Sequence, residues 1–348
     1  MNIRRGLTLA VVAATLATAP ALVARQNNQQ PNRRDQERRS QQEQRDTQAL
    51  FQLVDAVMAG KQPAPTDIAI RWEANHFMKG VDGSTYIPFS VVLDAAKLSS
   101  PGAGFYVRVV SKSAAPAPAE AAKQNDKKAP TFPWDNVQFL DVPPDGKVAR
   151  AMALKAGEYE VLVAVKEKSP LENQRNQPPA KAGFMRRDLT VPDMSGPDLT
   201  TSSLLVGTIE QLAAPLTPAE QLSNPYTFGT MRVVPSLDAK LKKGGELQVL
   251  FWVYGTQATG GKPDLQIEYN FHQKTAEGEK YFNKTAPQLL NASTLPAQFD
   301  VAAGHQLPGS LVVPLASFPL GDFRLEIKLT DRISGKTLTQ NLSFTVEA

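Results

Sequence analysis

Ala156-Gly157-Glu158-Tyr159-Glu160-Val161-Leu162-Val163-Ala164-Val165-Lys166-Glu167 aligns without a gap to Leu320-Gly321-Asp322-Phe323-Arg324-Leu325-Glu326-Ile327-Lys328-Leu329-Thr330-Asp331. In both stretches a glycine and an acid lead into an aromatic residue followed by aliphatics at every second position, the period of a strand with one buried face. Two such copies far apart in one chain predict an all-β protein. Its architecture is two tandem immunoglobulin- or fibronectin-like β-sandwiches.

Outward from the first copy, strand patterns at 68–73, 85–93, 105–111, 137–142, 148–154, 159–166 and 184–191 place the first sandwich at 66–192. Two polar insertions interrupt it, Ala/Pro/Lys-rich at 113–131 and Gln/Pro-rich at 168–182. They follow the third and sixth strands, so antiparallel alternation sends them to opposite ends of the sandwich. The second sandwich occupies 229–348, and 193–228 reads as the linker. Here 247–254 is apolar on both faces, as in a central strand, whereas Leu265, Ile267, Tyr269 and Phe271 alternate with polar residues. Further strands fall at 280–283, 311–315, 323–330 and 337–346, the last two joined by a turn at Ser334-Gly335.

The N-terminus predicts export. Arg4 and Arg5 precede an apolar stretch from Leu7 to Leu16, and Ala19-Pro20-Ala21 offers a small-x-small cleavage site, so 1–21 reads as a secretory signal peptide. The stretch is short for a membrane span, and no later segment resembles one, so the mature form is expected to have no span and to be periplasmic or secreted. The chain has no cysteine. That excludes a disulfide framework, a thiol nucleophile, cysteine-ligated zinc and an acylated lipoprotein cysteine.

The positive net charge sits at one end. Residues 1–46 hold eight arginines and four acids, and removing them from the totals of 38 basic and 34 acidic residues leaves 30 of each. A neutral folded part argues against nucleic acid as a partner. Residues 22–46, rich in Gln, Asn and Arg, have too few apolar groups to offset their ordering entropy and read as a disordered spacer. An amphipathic helix at 47–60 follows, with Asp46 or Thr47 as its cap and Gly60 and Pro63 ending it. Its apolar stripe of Leu50, Leu53, Val54, Val57 and Met58 must be covered, either by the first sandwich or by a partner protein, and these are the candidate partner-binding residues.

Motifs for chemistry are scarce. None of the histidines (His76, His272 and His305) has a second histidine or a carboxylate at metal-ligand spacing, and no nucleophile elbow, phosphate loop or dinucleotide-binding glycine pattern is present. Asp198-Leu199-Thr200-Thr201-Ser202 has the acid and alternating hydroxyls of a metal-dependent adhesion motif without the hydrophobic strand that should lead into it. No catalytic residue, cofactor or metal ligand is assigned.

Leu189-Thr190-Val191-Pro192-Asp193-Met194-Ser195-Gly196, then Leu204-Leu205-Val206 and the second domain through Phe344-Thr345-Val346, resembles the region after the von Willebrand factor A-like domain in a group of secreted acidobacterial proteins. A related arrangement occurs in bacterial GWxTD-domain proteins. The resemblance covers about half the chain and implies a sandwich fold in an extracytoplasmic setting, with no catalytic residue carried over. The combined expectation is an exported, non-enzymatic binding or scaffolding module whose partner is an envelope protein or glycan. Two rivals are a carbohydrate-active hydrolase with dispersed carboxylates and a structural envelope component that recruits a partner through the helix.

Overall fold

The computed structural model describes residues 33–113, 132–169 and 179–348. The expected signal peptide at 1–21, the beginning of the expected spacer at 22–32 and the middle of both insertions at 114–131 and 170–178 lie outside the described residues.

A long helix, α1 (Arg33–Met58), corrects the spacer and the helix start together. The stretch from Arg33 to Asp46 is mostly Gln, Glu and Arg, which have strong helix propensity. Extending a helix whose C-terminal half is already fixed by packing avoids the cost of nucleation. Asp46 is therefore not a cap. It lies inside the helix, 3% exposed, where its carboxylate accepts from Lys166 Nζ at 3.0 Å and Ser169 N at 3.0 Å. The other end is as expected: Gly60 takes a φ of 66°, and the N–H groups of Lys61 and Gly60 reach back to the carbonyls of Ala56 and Val57 at 2.8 and 3.1 Å. That pairing is a Schellman stop.

The first sandwich contains β1 (Ile70–Asn75), β2 (Met78–Lys79), β3 (Thr85–Leu93), β4 (Gly102–Ser111), β5 (Trp134–Asp141), β6 (Lys147–Leu154), β7 (Gly157–Glu167) and β8 (Ala182–Val191). One sheet has β3 at its centre, with β1 and β2 on one edge and β6 on the other; the facing sheet runs β5-β4-β7-β8. Their inner faces meet through Ile87, Phe89, Val91, Phe105, Val107 and Val163, each worth about 1.5–3 kcal/mol of burial. Ser111 at the end of β4 lies opposite Tyr159, and Glu167 at the end of β7 lies opposite Ala103. The two insertions thus leave the sheet at opposite ends.

The second sandwich begins earlier than the sequence suggests. Within the expected linker, β9 (Thr200–Thr201) and β10 (Leu205–Gln211) pair with β14 (Glu246–Tyr254), while α2 (Pro218–Gln221), β11 (Thr227–Phe228), β12 (Met231–Pro235) and β13 (Lys240–Lys242) complete the run up to β14. The physical reason is the central strand: β14 is apolar on both faces and needs its edge paired. Strands of two residues carry no readable period. The remaining strands are β15 (Ala258–Thr259), β16 (Lys262–Pro263), β17 (Leu265–Thr275), β18 (Gly278–Lys284), β19 (Gln288–Leu290), β20 (Leu307–Pro314), β21 (Gly321–Asp331) and β22 (Thr337–Glu347). One sheet runs β11-β12-β10-β14-β20 and the facing sheet β13-β22-β21-β17-β18. Pro308 and Pro314 sit on β20, which pairs with β14 alone at the sheet edge. Gly309 lies against the Phe251 ring, where an added Cβ would come within 2.3 Å of it.

The repeated stretches are the same strand of the same fold. In each domain that strand lies between its central partner (β4 or β17) and the last long strand (β8 or β22). Tyr159 faces Ser111 and Leu189, and Phe323 faces Gln273 and Phe344; the rings are 7% and 0% exposed. The copies differ on their outer faces. β21 presents Arg324, Glu326, Lys328 and Thr330 there, whereas β7 has Leu162 and Ala164 in place of Glu326 and Lys328, both fully buried. The expectation of one buried face therefore fails for β7, because α1 lies across it.

Candidate functional site

The apolar stripe of α1 is occupied within the chain. Leu50 and Val54 are fully buried and Val57 is 9% exposed; Leu50 and Val54 pack with Tyr106, Leu162 and Ala164, and Leu53 joins the margin of this cluster. Phe51 meets Tyr106 edge-on at 5.1 Å. An ion pair fixes the register: buried Arg108 bonds Asp55 on the helix, lies 3.7 Å from Asp135 and stacks 4.0 Å over the Phe132 ring. As partner-binding residues, Leu50, Leu53, Val54 and Val57 are corrected, because burial against a sheet that would otherwise expose Leu162 and Ala164 outweighs display to a partner. Met58 alone of the set remains exposed, at 38%.

Covering one face of the first domain leaves the other free to meet the second. Leu250, Trp252 and Tyr254, on the face of β14 turned away from its own core, pack with Met78, Met194, Tyr226 and Val233, flanked by Phe77 and Tyr86. Polar bonds set the orientation. Phe77 O accepts from Ser203 N and Phe77 N donates to Ser203 Oγ, both at 2.8 Å. Thr85 Oγ1 donates to Pro192 O at 3.0 Å, and Tyr86 OH to Pro225 O at 2.8 Å. Lys79 N donates to Tyr254 OH at 3.2 Å. His76 Nδ1 shares a 2.9 Å hydrogen bond with Tyr226 OH, ring against ring at 82°. Burial holds the His76 imidazole down to about 4, so the ring is neutral at ordinary pH, and burial pushes the Tyr86 and Tyr254 phenols up to about 12.

At one side of this junction the domains leave a cleft of about 390 Å³, walled by Met78, Tyr86, Phe228, Trp252 and Tyr254, with Lys79 and Thr227 among its polar members. A second depression of about 320 Å³ adjoins it across Tyr86, Ala153 and Gln221, bounded by Trp134, Met152 and Leu222. Between them lie Ala151 and Ala153 of β6, small enough to leave room. The lip is α2, fixed by a reciprocal cap between Thr217 and Glu220 with Pro218 in the first turn. Gln221 Nε2 donates to Thr227 O at 2.8 Å, tying that lip to β11. Exposed Val81 and Leu222, at 78% and 57%, flank the opening. A concave, aromatic-walled site at a domain junction is where ligand pockets concentrate.

No residue of this cleft was singled out by sequence motif. The signal that could have found it is the two-faced apolarity of β14: Leu247, Val249, Phe251 and Val253 fill the sandwich, which leaves Leu250, Trp252 and Tyr254 needing a second neighbour.

The carboxylates and hydroxyls noted in the sequence have structural partners. Glu167 accepts from Ser99 N at 2.6 Å and Lys181 N at 3.0 Å; Asp331 accepts from Gln257 N at 2.9 Å, Ile333 N at 3.1 Å and Ser334. Burial raises both carboxyls, but the surrounding N–H and O–H donors outweigh it and hold each below the usual carboxylate range. Asp198 is exposed and bonded to Lys336 at 2.9 Å, while Thr201 and Ser202 are buried on β14, so the acid and the hydroxyls of that motif do not converge. Among the described residues no group of three or more His, Cys, Asp or Glu side chains could hold a metal, and no helix is long and apolar enough to cross a membrane.

No protein-family model matches the chain, and no curated protein matches it. Among solved structures it is similar to trypsin-activated alpha-2-macroglobulin from Escherichia coli, at 10% identity and TM-score 0.22 over 82% of this chain and 17% of that one. It is also similar to Salmonella alpha-2-macroglobulin reacted with methylamine, at 12% identity and TM-score 0.21 over 82% and 17%. A DUF4785 family protein from Legionella pneumophila matches at 9% identity and TM-score 0.24, over 79% of this chain and 55% of that one. The chain thus spans about a sixth of the macroglobulins, and likeness at these scores transfers no activity.

Proposed function

We propose that this chain is an exported, non-enzymatic β-sandwich module of the cell envelope that binds or scaffolds a partner, a protein or a glycan, at the cleft between its two domains. The observation that carries this is the preorganised junction: two sandwiches held in one orientation by apolar packing and interdomain hydrogen bonds, with an open aromatic-walled hollow beside them. A site fixed before binding loses little entropy when it is filled. The signal pattern at 1–21 and the acidobacterial resemblance support the extracytoplasmic setting.

The test places a bulky residue in the hollow. Ala153→Trp, on the outer face of an edge strand, should abolish association with purified envelope glycan or envelope protein while the thermal midpoint holds, and Tyr281→Ser on the far sheet should leave association intact. Equal binding by all three proteins would remove the cleft from the account. Release of new glycan ends that stops on changing one carboxylate would replace the binding reading with a hydrolase, and intact Met1 in protein recovered from cytoplasm would overturn export.

A further inference from the structure

On the side of the adjoining depression the first domain's sheet ends at β6, which pairs with β3 alone. Its register fixes which main-chain groups are left over. In an antiparallel ladder a residue sends its N–H and C=O to one side, and the side alternates along the strand. Pro88 O accepts from His76 N at 2.9 Å, so Pro88 turns toward β1, whereas Leu93 N donates to Gly146 O at 2.9 Å, toward β6. By the same alternation Ile87 and Phe89 bond their partners Met152 and Arg150. Ala149, Ala151 and Ala153 therefore send their N–H and C=O groups outward from the sheet.

One of these outward groups is already in use: Ala149 O accepts from Arg150 Nη1 at 2.7 Å, which sets the guanidinium at the free edge. The N–H and C=O of Ala151 and Ala153 have no hydrogen-bond partner among the described residues. Ala151, Met152 and Ala153 in succession line the depression, so part of its wall is a strand edge, and an unpaired edge is a template for another strand. Other edges are blunted, β20 by Pro308 and Pro314 and β18 by Glu279, Lys280 and Lys284; β6 has neither proline nor acid. The charge at this edge is positive and unmatched. Arg150 Nε donates to Gln138 Oε1, whose residue lies in the same wall, and the guanidinium has no carboxylate partner among the described residues. Neither hollow has an acid in its walls.

We propose that this edge takes an extended peptide segment of a partner protein, added antiparallel to β6, with apolar side chains opposite Ala153 and Ala151 and an acidic side chain opposite Arg150. This rests on the cleft being the binding site and goes further by naming its ligand as a strand of protein, not a glycan. Read along the peptide, the pattern is apolar, any residue, apolar, acid. Residues directly opposite share a face, so the apolar pair enters the hollow between the alanines and Pro218 and Leu222, which continues across Tyr86 and Ala153 into the domain junction. The acid falls on the other face, beside the guanidinium. Main-chain bonds supply affinity and the alternate side chains specificity.

The full chain would be titrated calorimetrically with a blocked peptide of two serines, isoleucine, threonine, isoleucine, glutamate and two serines. Both isoleucines turn their N–H groups to β6 and the threonine between them turns its own away. N-methylation of either isoleucine should therefore weaken binding about tenfold or more, and N-methylation of the threonine by less than about twofold. Glutamine in place of the glutamate should weaken binding about fivefold to tenfold, the worth of one charge-assisted hydrogen bond, and Arg150→Met should erase that difference. Ala151→Pro removes an N–H of the free edge without touching the ladder to β3, and should abolish peptide binding with the thermal midpoint held; should it fail to fold, the N-methyl series decides alone. Equal weakening by the two kinds of N-methylation, or no binding at millimolar peptide, overturns the assignment. If the peptide does not bind but Ala153→Trp still abolishes association with an envelope protein or glycan, the cleft remains the functional site and strand addition is wrong. If the peptide binds Ala153→Trp unchanged, it adds at another edge, and glycan binding that survives Ala151→Pro would make the cleft a sugar site instead.

Discussion

Glu167 and Asp331 close the corresponding strand in the two domains, and each carboxylate accepts from two neighbouring loops of its own domain. Glu167 takes N–H groups from the loop between β3 and β4, through Ser99, and from the loop between β7 and β8, through Lys181. Asp331 takes them from the loop after β14, through Gln257, and from the turn between β21 and β22, through Ile333 and Ser334. The two acids are the last residues of the repeated stretch, 7% and 0% exposed. The loop anchor thus recurs together with the strand.

That anchor predicts an acid-sensitive contribution to stability. Both carboxyls are held below their usual range in the fold, so the unfolded chain takes up their protons first. The contribution is complete above the unfolded carboxyl pKa of about 4 and is lost as pH falls through the folded value. Asp331→Asn should cost about 1–3 kcal/mol at pH near neutral, the penalty for buried N–H donors facing an amide instead of a carboxylate. The gap from the parent protein in urea unfolding should shrink in acid; a gap that does not change with pH would disprove the anchor.

His76 gives a second pH window with the same sign. Its folded pKa is lowered by burial to about 4, against about 6.5 for a free imidazole. Between those values the unfolded chain binds more protons, so stability falls as pH drops, with a slope approaching about 1.4 kcal/mol per pH unit. His76→Phe should flatten that part of the urea stability profile, and an unchanged slope would mean that His76 is solvated in solution.

The rings at the head of the repeat should be equivalent in energy as well as place. Tyr159→Ala and Phe323→Ala should each cost about 3–5 kcal/mol, as for other buried aromatics. The Tyr159 variant also strands the Lys155 carbonyl, which accepts from its hydroxyl at 2.9 Å. Separate chemical-denaturation transitions would assign each loss to its own domain; a cost below about 1 kcal/mol at either site would mean that the copies are alike only in sequence.

Helix α1 should behave as part of the first domain. Val54→Asp, which puts an uncompensated charge against Leu162 and Ala164, should destabilise by about 3–5 kcal/mol, whereas Met58→Asp at the exposed end should be nearly neutral. Unchanged melting of the Val54 variant would return the stripe to the role of a partner surface.

Much of the fold was legible because strands announce themselves by period. Every strand expected in the first domain is present, and the alternation in Leu265 to Phe271 places those side chains in the core as expected. The helix start was not legible, since Arg33 to Asp46 has the composition of a disordered tract and gains its helicity from continuity with a packed segment. The linker was misread for a related reason: Thr200-Thr201 and Leu205 to Gln211 are strands because β14 offers an edge, a property of the partner and not of the residues themselves.

By itself the sequence determined that this chain is two related β-sandwiches, because the side-chain period of a strand is a local property and a repeat preserves it. Only the tertiary structure decided what covers each outer face. Apolar residues at Leu162 and Ala164 or at Leu250, Trp252 and Tyr254 require a neighbour without specifying one, and whether that neighbour is a helix, a second domain or a ligand depends on which surfaces the folded chain brings within reach. The cleft beside Tyr86 exists for that reason alone: it is assembled from β2, β3, β6, α2, β11 and β14, segments that share no sequence pattern and meet only when the two domains lock together.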